Sequence, residues 1–486
     1  MTNLVGLVKK DRRNRMWSVD RLLMWGKEGD AQIYGNLGDR PINGFSISTQ
    51  TLKPGEIFVA LQGTKQDGHA FIEEAFHKGA AGAMVARSWF VGQQNLFHPD
   101  LMIVVDDPLV SLQSLAKWHR KSFVGPLIGI TGTNGKTTTK EMLASILARH
   151  GAVLKTEGNY NNQIGLPLTL LRLKEGSQTV VLEMGISKIG DMQLLCEIAK
   201  PTMGIITNIG AAHLEFLGNI AGVAAEKKLL FETMTPSGIA IINKDDPYLS
   251  QWEGALSEKW TYSVGNNADL TASEIEQHGD GMSFTLALNR NQKGGGGIMK
   301  VVIPLLGEHQ VYNALAASAA ALALGYEFDD IRSALREIPP IPLRGEMIAW
   351  NGATILLDAY NANPVSMKAG IQTLAGHVSR GRKVAILGDM LELGAATKSA
   401  HKDIGRIVAQ NRIDRLITVG KFCEVTLHGA VEEGMEKEAI SSYKSLESLD
   451  LAREIQAGDI VLIKGSRGMR MERLLDSAAP EKEMLH

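Results

Sequence analysis

The sequence predicts an α/β protein of three domains: a small N-terminal α/β domain over 1–125, a central parallel-sheet domain of phosphate-loop type over 126–338, and a C-terminal Rossmann-like domain over 339–486. Three observations predict it. The chain has 486 residues, more than one hydrophobic core organises, so several domains follow from size. Short apolar runs bounded by turn residues alternate with helix-like segments, the pattern of a parallel sheet covered on both faces. The stretch "EIPPIPLRG" at 337–345 holds prolines at a density that stops helices and favours an extended connector.

In the first domain "GEIFVALQG" (55–63) and "LMIVV" (101–105) read as buried strands and "AFIEEAFHKGAAGAMVAR" (70–87) as helix. In the second, "LIGI" (127–130), "VVLEMG" (180–185) and "MGIITNIG" (203–210) read as strands running into turns, and "KEMLASILARHG" (140–151) as an amphipathic helix. The "KGGGG" run at 293–297 reads as a flexible hairpin loop between two strand-like segments. In the third, "ATILLD", "KVAILGD", "RLITVG" and "DIVLIKG" are strands separated by helices. In such sheets active sites lie at the carboxyl ends of the strands.

Composition narrows the function. Lys plus Arg number 51 against 53 Asp plus Glu, a formal charge of −2, so no net basic field invites nucleic acid. A hydrophobic share of 44% with 21% charged residues is that of a soluble globular protein rather than a disordered or membrane-inserted one. Cys196 and Cys423 are the sole cysteines, which fits neither a disulfide framework nor a zinc cluster and makes the cytoplasm the expected compartment. The N-terminus "MTNLVGLVKKDRRNRMW" is charged where a signal peptide needs an apolar run, and no apolar stretch is long enough to span a bilayer.

The chemistry concentrates in "GITGTNGKTTTK" (129–140), which misses the phosphate-loop pattern G-x-x-x-x-G-K-[ST] because Ile130 stands at its first glycine. Its strand–loop–helix setting nevertheless suits a nucleotide: Gly132 and Gly135 let backbone N–H groups converge, Lys136 reaches outer phosphates, and Thr137 offers a hydroxyl to a metal. Thr137 and Thr138 fall at a helix N-terminus, where the dipole favours phosphate. Glu183 ends an apolar strand, the place of a magnesium-coordinating carboxylate. His213, after another strand end, has metal or phosphate orientation as one reading and a structural role as the other. Lys227 and Lys228, in a helix packing through Leu229, Leu230 and Phe231, read most simply as an exposed charged pair.

In order along the chain, "TGTNGKTTTK", "GNYNNQIGLP", "EMG", "TNIGAAHLEFLG", the downstream lysine, "GEHQVYNALAA", "DAYNANP", "LGDMLELG" and "KGSRGMRME" resemble the Mur ligases over nearly the whole chain. "DAYNANPVSM" (358–367) is similar to the D-alanyl-D-alanine-adding member, whereas the DNPR-type motif of the diaminopimelate-adding member is absent. Other single-amino-acid-adding Mur ligases and, more distantly, a folylpolyglutamate-synthetase-like ligase are the alternatives. The resemblance implies an ATP- and Mg²⁺-dependent amide ligase that joins D-alanyl-D-alanine to UDP-N-acetylmuramoyl-tripeptide through an acyl phosphate, a cytoplasmic step of peptidoglycan synthesis carried out by a monomer.

It also implies site roles. The ATP site would comprise Gly132, Thr133, Asn134, Gly135, Lys136, Thr137, Thr138, Asn313, Arg344 and Asp358. Metal ligands would be Thr137, Glu183, His213 and Lys227, the last as a carbamate made with CO₂; Lys136, His213 and Lys227 would be catalytic. Substrate contacts would come from Ser48, Thr49 and Gln50 in the first domain, Asn161 and Asn162 in the second, and Tyr360, Asn361, Asn363, Lys464, Ser466 and Arg467 in the third. Without the resemblance Asn313 reads as a helix cap, Asp358 as a turn residue and Arg344 as the ion-pair partner of Glu346. Two departures from the family pattern stand out: Gln310 replaces asparagine in the "G-x-H-N" adenine segment, and in "SISTQTLKPG" (46–55) Ser48 and Gln50 replace an acid and an arginine. Both predict altered polar contacts, and the second a weaker grip on the UDP moiety.

Overall fold

The structure is a computed structural model that describes residues 17–29, 31–35, 42–64, 66–92, 101–256, 258–290, 297–378, 381–476 and 483–484. Residues 293–296 of the glycine run lie outside the described residues. Three sheets carry the chain.

The first sheet orders its strands Gln32–Tyr34, Leu101–Val105, Gly82–Ala86, Glu56–Val59 and Gly44–Ser46, parallel except for the antiparallel edge made by Gln32–Tyr34. One expectation needs correction here. The segment 70–87 is not one helix: the helix Ile72–His77 stops before Gly79 at φ 88°, and Gly82–Ala86 is a strand paired on both sides. Its small side chains mislead, because alanine favours a helix only where packing does not overrule it; Ala83, Met84 and Val85 are fully buried.

The second sheet has nine strands. Its parallel part runs from Val153–Lys155 through Thr179–Glu183, Leu127–Thr131, Met203–Ile206 and Ile239–Asn243 to Lys259–Ser263 and the start of Leu270–His278. Gly281–Leu288 and Ile298–Ile303 extend it antiparallel. Leu127–Thr131 lies between Thr179–Glu183 and Met203–Ile206, so the next two strands in the chain fall on one side of it and the following ones on the other. That is a topological switch point, where a crevice opens beyond the strand ends.

The third sheet is parallel across Ile440–Tyr443, Arg415–Val419, Lys383–Gly388, Ile460–Lys464 and Ala353–Leu357, and antiparallel at Glu346–Trp350 and Glu483–Met484. The irregular segment 337–345 separates the helix Phe328–Arg336 from strand Glu346–Trp350; only its middle is without turns, for 342–345 bend with Leu343 at φ 61° and Gly345 at φ 73°.

The cores decide which parts move together. One apolar cluster runs continuously from Trp17, Leu22 and Ile57 in the first sheet region through Leu112 and Leu115 to Leu166, Leu182 and Ile206 in the second. Its mortar is the helix Pro108–Arg120, started by Asp107, whose carboxylate accepts from Leu109 N (2.7 Å) and Val110 N (3.1 Å), with proline at the first turn. Direct bonds add to it: Trp17 Nε1 donates to Leu171 O at 3.0 Å, and Arg120 Nε to Ala199 O at 2.7 Å. Of the two clusters of the third region, one takes in Leu306 from the central region and the other draws only on residues of the third region.

Candidate active site

The loop 132–135 leaves the central strand at the switch point. Ile130 is fully buried inside that strand, so the position where the usual pattern has glycine is still sheet, and the turn starts at Gly132. Gly132 has φ 146° and Gly135 φ 81°; a Cβ on them would lie 1.9 Å from Thr207 Oγ1 and 2.2 Å from Asn313 Oδ1. Both places therefore require glycine. The helix Lys136–Leu147 begins at Gly135 with no side-chain cap, which leaves the first-turn N–H groups for a ligand.

Around that turn the side chains are tightly cross-bonded. Lys136 Nζ donates to Gly132 O (2.8 Å) and Thr133 O (3.2 Å). Thr137 Oγ1 donates to Glu183 Oε2 at 2.8 Å, and Asn161 Nδ2 to Glu183 Oε1 at 2.8 Å. Glu183 is buried and its backbone N–H is fixed by Thr156 Oγ1 at 3.0 Å. Thr133 is buried and accepts from Gly210 N at 2.9 Å, and Thr138 is buried at the loop's base. Asn162 Oδ1 accepts from Ile164 N and Gly165 N, both at 3.0 Å, starting the helix that follows.

Lys227 and Lys228 are not alike. Lys228 is at the surface, paired with Glu232 at 2.9 Å. Lys227 is 3% exposed, and its Nζ donates to Gly132 O (3.0 Å) and Thr131 Oγ1 (3.4 Å). Burial drives its ammonium well below the ordinary lysine range, Lys136 adds repulsion and Glu226 opposes both. Burial likewise lowers Lys136, against the attraction of Glu183. The exposed-pair reading holds for Lys228 and fails for Lys227.

The C-terminal sheet faces this loop across a cavity of ≈ 340 Å³. Lining it are residues 132–136, Asn161, Asn162, Glu183, His213 and Lys227 from one side, and Arg344, Asp358, Tyr360, Asn361 and Lys464 from the other, with Asn313 at the floor. Arg344 lies over the Tyr360 ring at 4.0 Å instead of pairing with Glu346, whose carboxylate accepts from Leu343 N (3.1 Å). Lys464 is buried, paired with Asp358 at 2.5 Å and donating to Asn361 O at 3.0 Å. Asn313 Nδ2 donates to Gln310 Oε1 at 2.8 Å while its Oδ1 accepts from Thr139 Oγ1 at 3.3 Å. Gln310 thus sets the orientation of the Asn313 amide, a role its longer side chain reaches from a buried position.

Other expected residues fall outside the cavity lining. Ser466 is buried, accepting from Leu391 N (2.9 Å) and donating to Ala362 O (3.3 Å), and Arg467 pairs with Glu472 at 2.6 Å. Asn363 caps the helix Pro364–Gly376. Ser48, Thr49 and Gln50 form a turn in the first region, where Ser48 Oγ accepts from Gln50 N (3.2 Å) and Thr49 O from Lys78 Nζ (2.9 Å).

Two residues passed over in the sequence join the site. Asn208 Oδ1 accepts from Asn134 N at 3.0 Å. Glu392, in "LGDMLELG", meets His213 Nδ1 at 2.7 Å from the C-terminal side. Both sit in motifs already conspicuous, but which side chain of a loop turns inward is a tertiary fact. Burial lowers the His213 pKa, while Glu392 opposes. The Thr137 hydroxyl and Glu183 carboxylate are adjacent hard oxygen donors, which suits magnesium sharing its shell with phosphate and water. Among the described residues there is no cluster of three or more His, Cys, Asp or Glu that could hold a metal, and none is a membrane-spanning helix by length and apolarity.

Comparison with known proteins accords with this geometry. Residues 130–321 match the Mur ligase middle domain and 343–467 the Mur ligase glutamate ligase domain. The UDP-N-acetylmuramoyl-tripeptide–D-alanyl-D-alanine ligase of Bacillus subtilis is 37% identical over 437 residues, covering 89% of this chain and 92% of that protein. The crystal structure of MurF from Acinetobacter baumannii superposes with a TM-score of 0.82 at 29% identity, over 95% of this chain and 98% of that one. MurF from Thermotoga maritima in complex with ADP gives 0.76 at 28% identity, over 89% and 96%. With its loop, its buried lysine and relatives matched over nearly their whole length, the chain belongs to the Mur ligase family.

Proposed function

We propose that the protein ligates D-alanyl-D-alanine to UDP-N-acetylmuramoyl-tripeptide at the expense of ATP, through an acyl phosphate. The observation that carries this is the meeting, in one crevice, of a phosphate loop, a Thr137–Glu183 oxygen pair and a buried Lys227, on a chain whose matched relatives bear that activity in their names.

The tripeptide's terminal carboxylate attacks the γ-phosphorus, ADP departs, and the dipeptide amine then adds to the activated carbonyl; the tetrahedral adduct expels phosphate and the amine's proton goes to solvent or a base. Lys136 would leave the carbonyls of Gly132 and Thr133 for the β- and γ-phosphates, exchanging neutral acceptors for charged ones. The free N–H groups at the start of helix Lys136–Leu147 would bind the same phosphates. Magnesium would be held by Thr137 and Glu183, with a Lys227 carbamate and His213 for a second ion, and would neutralise charge on the transferring phosphoryl group. Asn161 would keep Glu183 in place, and Glu392 on Nδ1 of His213 would leave Nε2 as the donor nitrogen.

Arg344, Asp358 and Asn313 belong to the nucleotide side of the crevice in this reading, with Gln310 acting through Asn313. Lys464 lines the C-terminal wall where it could meet the peptide, and Ser466 and Asn363, outside the lining, support that wall from behind. Ser48, Thr49 and Gln50 remain the proposed uridine-nucleotide contact, the cytoplasm the proposed compartment and a monomer the proposed state. The test is phosphate release from ATP with UDP-muramoyl-tripeptide and, in turn, D-alanyl-D-alanine, diaminopimelate, lysine and glutamate. Release that needs the tripeptide and D-alanyl-D-alanine supports the reading; release with a single amino acid overturns it.

A further inference from the structure

The geometry points to Asn363 as a docking residue that couples the position of the C-terminal region to the shape of the phosphate loop, by a reciprocal amide pair with Asn134. Asn363 Nδ2 donates to Asn134 Oδ1 at 2.8 Å and Asn134 Nδ2 to Asn363 Oδ1 at 3.3 Å, across 229 residues of sequence. Two primary amides facing each other in this way satisfy a donor and an acceptor on each side and accept little variation in angle.

Both partners are fixed by their own surroundings. The Asn134 backbone is held by Asn208 Oδ1 on its N–H (3.0 Å) and by Thr207 Oγ1 (2.5 Å) and Asn208 Nδ2 (3.2 Å) on its carbonyl. It stands between Gly132 and Gly135, both at positive φ. Asn363 is held by its capping role: its Oδ1 accepts from Ser366 N at 2.9 Å, and Ser366 Oγ accepts from its N–H at 3.1 Å. One carbonyl oxygen therefore serves the start of helix Pro364–Gly376 and the tip of the phosphate loop together. Helix and loop must move as one while the pair holds.

The contact lies where coupling is useful. Ser366, Ala369, Gly370 and Thr373 of that helix line the cavity opposite the loop, and the C-terminal region otherwise has its own cores. A second contact, His213 with Glu392, crosses the same interface. Asn363 is then a positioning residue rather than a substrate ligand. This rests on the ligase reading only for its turnover readout.

The test uses Asn363→Asp, which keeps a good capping oxygen for Ser366 N but removes the donor and sets a carboxylate against Asn134 Oδ1, together with Asn134→Ala and the double variant. Turnover, KM for ATP, solution scattering with and without a non-hydrolysable ATP analogue, and melting temperature are measured on the full chain. Expected are kcat losses of roughly five- to tenfold in each single variant, a double variant no worse than the poorer single, a larger radius of gyration for the analogue complex and an unmoved melting temperature. Multiplicative losses, or an Asn363→Asp protein with wild-type turnover and dimensions, overturn the coupling. If wild type releases no phosphate with D-alanyl-D-alanine yet the scattering difference appears, the reaction assignment fails and the docking role stands.

Discussion

Gly135 sits at φ 81° with Asn313 Oδ1 2.2 Å from where a Cβ would be, so Gly135→Ala strains the turn and displaces the residue that floors the cavity. It should lower ADP affinity at least tenfold while costing about 1–3 kcal/mol of stability, readable by calorimetric titration and urea unfolding; unchanged affinity would remove the loop from the nucleotide site. Lys227 raises a different issue. Burial lowers the Lys227 pKa and so favours the neutral amine, the form that adds CO₂ to give a carbamate and a proton, whereas an ammonium does not react. Lys227→Ala should lose about 10²- to 10³-fold in kcat, and short carboxylic acids should restore part of it by occupying the vacated space; full activity in Lys227→Ala would exclude the carbamate. The loop and Glu183 were legible as chemistry from residue type and spacing, whereas Lys227 stood out only through the resemblance to the Mur ligases. That Lys227 is buried and Lys228 is not could not be read there, since adjacent helix residues differ only in the face that packing selects.

The helix Pro108–Arg120 joins two sheets, and His119 at its end is 3% exposed. Its Nε2 meets Leu173 O and its Nδ1 meets Arg21 Nη2, both at 3.1 Å, which a neutral ring satisfies with Nε2–H donating and Nδ1 accepting. Burial pushes its pKa down to about 4, the Leu173 carbonyl pulls upward and Arg21 adds a smaller downward push. The unfolded ring takes its proton near the ordinary value of about 6.5, so between the two values the unfolded state binds more protons and stability falls as pH falls. The loss begins below about pH 6.5, is complete near pH 4 and amounts to about 3 kcal/mol at 1.36 kcal/mol per pH unit. Urea unfolding of wild type and His119→Gln from pH 7.5 to 4.5 should show a slope that the variant lacks; parallel slopes would contradict it. At this scale the sequence speaks clearly for the strands of the second and third sheets, because runs such as Val180–Leu182 and Ile460–Ile463 are buried throughout. It fails at 82–86, where an alanine-containing run is a strand only because neighbours pair with it on both sides.

Over the whole molecule, the shared core makes the first and second sheets one cooperative body, while the C-terminal sheet rests on cores of its own. Thermal unfolding should therefore resolve two transitions, with ADP, placed by the proposed function between the loop and Arg344 and Asp358, raising the C-terminal one by a few degrees; a single transition insensitive to ADP would show that the interface is as strong as the cores. The three-sheet plan followed from length, alternation and the proline-rich connector, but the interface did not, since Asn134 with Asn363 and His213 with Glu392 are pairs separated by 229 and 179 residues. The central claim is that the substrate carboxylate is phosphorylated before the amine attacks. It is tested most directly by supplying UDP-muramoyl-tripeptide with ¹⁸O in its terminal carboxylate and weighing the phosphate released during ligation. Acyl-phosphate chemistry transfers one carboxylate oxygen, so the phosphate carries one ¹⁸O; unlabelled phosphate accompanying product would contradict the mechanism proposed for this crevice.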